Sequence, residues 1–274
     1  MNPHQPMQTN PNGTLSIAVF SGKGGVGKSS LSANLGFCLS ESGLRCLLMD
    51  CDLGLANLDI LLGISSEATI QDLLVRDIAA QRLVQPVAPN LDLLPAASGV
   101  PELVEMDEDQ RGLLLKKLEP IISDYAFLIL DMAAGLNPTL LAMARAAAKR
   151  IVVLTPEPTS LTDAYAVIKV LSAKADIHDF LILVNQVANR EEAQTTHRRL
   201  DAAVEKFLGF KTHYLGMVRS DPNMGKAVAK QQALMRIAPK SPAAEDIRVL
   251  AERLQSLRAA LMPGLLDKPA LANF

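Results

Sequence analysis

A glycine-rich loop with two lysines follows the first apolar segment of the chain. Residues 22–30 read Gly-Lys-Gly-Gly-Val-Gly-Lys-Ser-Ser, directly after the apolar run 15–20. This segment satisfies the G-x-x-x-x-G-K-[ST] pattern of a phosphate-binding P-loop, in the expected strand–loop–helix context. Backbone N–H groups and the positive end of a helix bind phosphate oxygens in such loops. The complete pattern favours a nucleoside triphosphate site over the alternative, a tight strand-to-helix turn.

The loop positions have separate predicted contacts with the nucleotide. Lys28 is predicted to reach the β- and γ-phosphates, and the Ser29 hydroxyl to ligate Mg²⁺. Lys23 is an additional lysine that an ordinary P-loop does not need. The whole predicted nucleotide-binding loop consists of Gly22, Lys23, Gly24, Gly25, Val26, Gly27, Lys28, Ser29 and Ser30.

Carboxylates follow two further apolar segments. Asp50 and Asp52 come after residues 45–49, and Asp131 comes after residues 127–130. Because ligands of parallel α/β sheets bind at the carboxyl ends of strands, we expect these carboxylates beside the P-loop. Asp131 has the form of a Walker-B acid that holds Mg²⁺ directly or through a water, with Asp50 supporting the same metal site. Asp52 is predicted to orient the attacking water, and a solvent-facing strand cap is the alternative for each acid.

Asn185 ends another apolar run and is a candidate contact for the nucleotide base. A guanine site of the N-K-x-D type would require lysine and aspartate where Gln186 and Ala188 stand. The sequence therefore favours adenine, read by the Asn185 amide. A turn or strand cap is an equally good interpretation of this asparagine.

Apolar runs alternate with helical periodicity along the whole chain. Strands are predicted at residues 15–20, 45–49, 91–95, 127–130, 150–154, 180–184 and 212–218. Helices are predicted at residues 29–42, 69–75, 107–122, 138–147, 161–173, 191–207, 223–232 and 242–262. Continuous apolar strands are typical of sheets covered on both faces. The predicted fold is an α/β P-loop NTPase, a mostly parallel twisted sheet flanked by helices on both faces in a three-layer sandwich.

Composition limits the classes of function. The chain has 274 residues, 49% hydrophobic residues and a net charge of −2. This charge gives no electrostatic basis for direct nucleic-acid binding. The three cysteines, Cys38, Cys46 and Cys51, have no metal-site spacing and fit buried positions in a reducing cytoplasm. No apolar run is long enough to span a membrane.

The two ends of the chain are predicted to lie outside the folded domain. Residues 1–13 are rich in Asn, Pro and Gln and are expected to form a flexible tail, followed by a single ATPase domain at 14–262 and a tail at 263–274. The apolar positions of the last helix fit packing on the sheet. A membrane-targeting amphipathic helix is the alternative, although Pro263-Gly264 interrupts the pattern, so any peripheral membrane contact is expected to be weak.

Three segments together resemble the deviant-Walker-A ATPases of the MinD/ParA type. They are Lys-Gly-Gly-Val-Gly-Lys-Ser at 23–29, Asp-Cys-Asp-Leu-Gly-Leu-Ala-Asn-Leu-Asp at 50–59 and Asp-x-Ala-Ala-Gly at 131–135. The resemblance implies slow, Mg²⁺-dependent hydrolysis of ATP to ADP and phosphate. It also implies an ADP-bound monomer and an ATP-sandwiched homodimer. Lys23 would contact the partner's phosphates across the interface, and Asp52 and Lys28 would complete the catalytic residues.

Other segments resemble one branch of that family, the flagellar-number regulators of the FlhG/FleN type. They are residues 94–99, 156–166 and 226–228, although 156–166 also fits a strand-end loop with a helix N-cap. This branch implies inhibition of a sigma-54-type flagellar transcription activator, an AAA+ ATPase. Members also carry an acidic N-terminal motif that activates an SRP-like flagellar GTPase. Residues 1–13 contain no acidic residue, which leaves a GTPase partner open.

Two other functions compete with flagellar regulation. The first is a MinD-like positioning ATPase that works on a membrane in division or on another cargo. The second is a P-loop kinase or transferase for a small molecule, which would need an arginine-rich lid and leaves Lys23 without a role. The sequence lacks such a lid, so a cytoplasmic, dimerising ATPase is the favoured function.

Overall fold

One eight-stranded sheet forms the centre of the molecule. The computed structural model describes residues 10–52, 57–65, 68, 72–73, 80–96, 107–133 and 137–271. The strands are β1 Leu15–Ser21, β2 Cys46–Cys51, β3 Gln85–Ala88, β4 Leu91–Leu94, β5 Phe127–Met132, β6 Lys149–Leu154, β7 Leu181–Val187 and β8 His213–Arg219. Their order across the sheet is β3-β4-β2-β5-β1-β6-β7-β8.

Strand pairing confirms the predicted parallel sheet. Every pair except β3–β4 is parallel, and β3–β4 is antiparallel. The sequence analysis missed β3, which is four residues long and contains Pro86. A proline cannot donate to a strand ladder, so β3 occupies the sheet edge where that donor is not needed.

Helices cover both faces of the sheet. They are α1 Lys28–Glu41, α2 Leu58–Leu62, α3 Glu108–Ile122, α4 Pro138–Ala146, α5 Pro158–Ala175, α6 Arg190–Leu208, α7 Pro222–Ala229, α8 Leu234–Ile237 and α9 Pro242–Leu266, with a 3₁₀ turn at Ala80–Leu83. The sequence analysis missed the short helices α2 and α8. The helix predicted at 69–75 lies mostly outside the described residues.

Two apolar layers separate the sheet from its helices. Side chains of α3 to α6 pack with one face of the sheet, including Leu118, Met143, Ile168 and Leu200. Side chains of α1, α7, α8 and α9 pack with the other face in a second buried cluster. This arrangement confirms the predicted three-layer α/β architecture. It also explains why the strands read as continuous apolar runs rather than alternating ones.

The C-terminal residues pack against the body of the protein. Helix α9 continues through Pro263 to Leu266, so its predicted end at residue 262 is wrong. Beyond it, Ala270 and Leu271 are buried. The Ala270 N–H donates to Glu119 Oε1 at 2.6 Å, and Ser16 Oγ donates to the Ala270 carbonyl at 2.6 Å. Residues 267–271 therefore form an ordered strap, which contacts the amino end of the central strand β1, at the opposite end of that strand from the P-loop.

The N-terminal segment is ordered from residue 10. Asn10 is buried, and its side chain hydrogen-bonds both backbone polar groups of Thr14. Residues 1–9, where most of the flexible tail was predicted, lie outside the described residues. None of the helices described in the structure combines the length and the apolar character needed to cross a bilayer.

Candidate functional site

The glycine-rich loop joins β1 to α1, as its sequence pattern predicts. Gly25 and Gly27 have φ angles of 81° and 88°, a region that favours glycine. Helix α1 begins at Lys28, so its positive end points into the loop. The loop borders a cavity of about 340 Å³ whose lining residues are Ser21, Lys23, Gly24, Gly25, Val26, Gly27, Lys28, Ser29, Ser30, Asp52 and Asn57. A cavity with these walls can hold a polyphosphate.

Two amides at the end of β7 support the loop. Asn185 Nδ2 donates to the Val26 carbonyl at 2.7 Å, and Gln186 Nε2 donates to the Gly25 carbonyl at 3.3 Å. Gln186 has a φ of 58°, which is uncommon for a residue with a side chain. Asn185 was predicted as an adenine contact or as a turn or strand cap, and the support that Asn185 and Gln186 give to the loop was not predicted. Both contacts bring the end of β7 to the P-loop backbone.

Lys28 is paired with the Walker-B aspartate. Lys28 Nζ lies 2.9 Å from Asp131 Oδ1, and both side chains are largely buried. Ser32 Oγ donates to the same carboxylate oxygen at 2.8 Å. Strand β5 therefore delivers Asp131 to the start of α1, as predicted.

Asp50 lies beside Asp131 in the sheet, because the two residues are paired in register between β2 and β5. Its carboxylate accepts backbone N–H groups of Asp52, Asn57 and Leu58 at 2.9 to 3.0 Å. Burial raises the pKa of Asp50 to about 6, against these hydrogen bonds. Asp50 thus organises the segment that follows β2. Its role at a metal remains a prediction.

Asp52 forms part of the wall of the P-loop cavity. Its backbone N–H is fixed by Asp50, which places the residue at the carboxyl end of β2. Residues 53–56 of the same motif, and 134–136 of the motif after Asp131, lie outside the described residues. The structure therefore brings Asp52 to the site where its predicted role requires it.

Lys23 contacts the N-terminus of α5. Its Nζ lies 2.8 Å from Glu157 Oε2 and 3.3 Å from Thr159 Oγ1. The Lys23 side chain remains 42% exposed, and the hydrogen bond and charge of Glu157 raise its pKa. In the sequence, Glu157 stands out only as part of the 156–166 segment that resembles the FlhG/FleN branch. No local pattern links two residues so far apart along the chain.

The chemistry of the site fits a magnesium nucleotide. Ser29 supplies a hydroxyl in the cavity wall, and Asp131 supplies a buried carboxylate that contacts Lys28 of the same wall. Among the described residues, no cluster of three or more His, Cys, Asp or Glu side chains could hold a metal by itself. Mg²⁺ commonly completes its coordination with phosphate oxygens and water, so one hydroxyl and one carboxylate suit it.

The cysteines lie in the core. Cys38, Cys46 and Cys51 are all buried and unpaired. Burial raises the pKa of the Cys38 thiol to about 12, and it also raises the pKa values of the Cys46 and Cys51 thiols above their ordinary value. Thiols held protonated in this way are poor nucleophiles and poor metal ligands. The predicted buried positions are confirmed.

Comparison with known proteins relates this site to ATPases. Residues 14–179 match the protein family described as AAA domain. The chain is 34% identical over 240 residues to the antiactivator FleN of Pseudomonas aeruginosa, covering 88% of this chain and 86% of FleN. It is 32% identical over 261 residues to the flagellum site-determining protein YlxH of Helicobacter pylori, covering 95% and 87% of the two chains.

A solved structure shares the architecture. The septum site-determining protein MinD of Pyrococcus horikoshii, in complex with Mg-ADP, superimposes with a TM-score of 0.74. It is 25% identical in sequence, and the match covers 90% of this chain and 98% of that one. The likeness therefore extends over almost the whole fold.

Proposed function

Because the chain belongs to the MinD/ParA family of P-loop ATPases, we propose that it is an ATP-driven switch between monomer and dimer that regulates flagellar number. The protein hydrolyses ATP with Mg²⁺ as cofactor, and its similarity to FleN and YlxH relates it to flagellar regulation. We infer that the ATP-bound dimer inhibits a sigma-54-type flagellar transcription activator. In this proposal, ATP hydrolysis serves to reset the protein to the monomer, and the ADP and phosphate that it releases are not used by the activator.

The position of Lys23 is the observation that supports the dimer most directly. Lys23 lines the cavity, as Lys28 does, but the two lysines contact different acids: Lys28 contacts the buried Asp131, on the strand beside the loop. Lys23 Nζ contacts Glu157 on the neighbouring α5 and stays 42% exposed. An exposed cation at the mouth of a phosphate site is available to a second molecule. We infer that it leaves Glu157 to contact the partner's phosphates.

Lys28 and Asp52 act directly in the proposed hydrolysis. Lys28 moves from Asp131 to the β- and γ-phosphates, and Asp52 orients the water that attacks the γ-phosphate. When bound, Mg²⁺ supplies positive charge against the phosphate oxygens, held by Ser29 and Asp131. Asp50 keeps Asp52 in place through the backbone contacts described above.

We infer that the ATPase domain, whose order begins by residue 10 rather than at the predicted residue 14, acts in the cytoplasm. We also propose weak peripheral membrane contact through the end of α9, because the apolar side chain of Leu266 is 40% exposed there. A flagellar GTPase is a further partner to examine, although residues 1–13 lack acidic side chains.

Light scattering tests the dimer. We expect Asp52→Ala to form a stable dimer with ATP and Mg²⁺, because the nucleotide binds but is not consumed. The same variant with ADP should remain monomeric. A monomer of Asp52→Ala with saturating ATP would contradict the proposal.

Two lysine variants serve as matched controls. Lys28→Ala should lose nucleotide affinity by roughly ten-fold or more, since charge-assisted contacts contribute about 1.5–3 kcal/mol. Lys23→Ala should bind nucleotide normally as a monomer and fail to dimerise or turn over. An equal loss of nucleotide affinity in both variants would mean that Lys23 contacts its own nucleotide only.

A further inference from the structure

Ser32 is a completely buried hydroxyl one turn into α1, beyond the end of the P-loop pattern. Its relative exposure is 0%. Ser32 Oγ lies 2.8 Å from Asp131 Oδ1 and 3.1 Å from the Lys28 carbonyl. Lys28 Nζ lies 2.9 Å from the same Asp131 oxygen. One carboxylate oxygen is therefore held by both a cation and a hydroxyl.

A serine inside a helix commonly donates to the carbonyl four residues earlier, and this would explain Ser32 without any role in the site. The hydroxyl has only one proton to donate, however. The Asp131 oxygen is the nearer acceptor and carries negative charge, so it is the stronger one. The contact to Asp131 therefore dominates, and it links α1 to β5 across 99 positions of the chain.

We propose that Ser32 is a positioning residue that holds the Asp131 carboxylate in place for the magnesium nucleotide. Lys28 has to release Asp131 when it binds the phosphates, and the buried carboxylate then loses this cation. Ser32 remains, because its backbone belongs to the regular part of α1 rather than to the loop. This inference rests on the proposed function, in which Asp131 serves the metal.

The test compares Ser32→Ala with Ser40→Ala in binding assays with ADP, which avoid turnover and dimerisation. Ser40 is the matched control: it is buried in the same helix, and its hydroxyl donates to the Phe37 carbonyl at 2.8 Å. Affinity for ADP is measured once with Mg²⁺ and once with EDTA. We expect Ser32→Ala to lose roughly ten-fold in affinity with Mg²⁺, the scale of a hydrogen bond to a charged group. In EDTA we expect Ser32→Ala to lose less than about two-fold in affinity for ADP. Ser40→Ala should keep its affinity for ADP in both buffers.

Two further variants separate the possible failures. Ser32→Cys keeps the side-chain size with a weak donor, and it replaces Ser32→Ala if that variant does not fold. Equal losses with Mg²⁺ and with EDTA would overturn the inference, since Ser32 would then shape the loop rather than the metal site. If Asp131→Asn loses the Mg²⁺ dependence and the Ser32 variants keep it, this inference alone fails. If Asp131→Asn also keeps it, the proposed role of Asp131 is wrong.

Discussion

Asn185 has two interpretations that differ in what its amide contacts. The sequence favours an adenine reader or a strand cap, whereas the structure places its Nδ2 2.7 Å from the Val26 carbonyl. Gly27 lies so close that a Cβ there would come within 2.5 Å of the same nitrogen. The P-loop backbone and the end of β7 are therefore fitted to each other, and Asn185 supports the loop whether or not it also reaches a base.

Asn185→Ala separates these interpretations. We expect the affinities for ATP and GTP to fall together by roughly two- to ten-fold, because one loop hydrogen bond contributes about 0.5–1.5 kcal/mol. Asn189→Ala is the matched control, since Asn189 caps α6 nearby by accepting the Glu192 N–H. A fall for ATP without a fall for GTP, measured by competition titration, would identify Asn185 as the adenine reader instead.

Sequence motifs predicted the phosphate- and metal-site residues, but not the side-chain contacts that Asp131 and Lys23 make with distant segments. The P-loop pattern and the two strand-end acids identified Lys28, Asp50 and Asp131, because each of these residues belongs to a recognisable local motif. The contacts of Ser32 with Asp131 and of Lys23 with Glu157 join segments 99 and 134 positions apart. Only the folded sheet brings such residues together, so no spacing in the sequence could show them.

The end of α9 shows how packing can override a helix-breaking signal. Pro263 and Gly264 predicted that the helix would stop, yet it continues to Leu266. Both residues lie on the exposed side, where water can bind the backbone carbonyl that proline leaves without a donor. Leu257, Leu261 and Leu265 continue the helical spacing and pack against the core. Burial of this row outweighs the local cost.

Removal of the strap should destabilise the whole protein. A chain ending at Leu266 loses the buried Ala270 and Leu271 and leaves the Glu119 carboxylate without its backbone donors. We expect the free energy of unfolding to fall by about 2–4 kcal/mol, from lost apolar burial and one unsatisfied buried acceptor. Urea unfolding measures it. A chain ending at Leu271 is the control, and equal stability of the two chains would mean that the strap contributes nothing.

Elements were predicted well where they are long and apolar. The core strands end within a few residues of their predicted bounds, because runs covered on both faces are recognisable without their neighbours. The short elements β3, α2 and α8 were not predicted. Each is held by tertiary contacts, such as the Arg236 side chain that donates to the Val87 carbonyl of β3. Such a contact cannot be predicted from a short stretch of sequence, because its two residues are 149 positions apart.

At the scale of the whole molecule, the site must change a surface that another protein can detect. A ligand shifts a partner only through a difference in affinity between two states. The proposed mechanism starts from two ion pairs, Lys28 with Asp131 and Lys23 with Glu157. In that proposal Lys28 leaves its acid for the phosphates, and Lys23 leaves its acid for a second chain. The second change joins two molecules into one composite face, which is the larger alteration.

The activator should therefore bind the dimer in preference to the monomer. We expect immobilised Asp52→Ala with ATP and Mg²⁺ to capture a purified sigma-54-type flagellar activator at least about ten-fold better than Lys23→Ala under the same conditions, since coupling between sites commonly amounts to 1–3 kcal/mol. Both variants bind ATP in the proposed mechanism, so occupancy of the P-loop is matched and only the quaternary state differs. Wild-type protein should release the activator as ATP is consumed, because hydrolysis returns it to the monomer. Equal capture by the two variants would remove the nucleotide switch from the regulation and leave a constitutive binding protein whose ATPase serves another purpose.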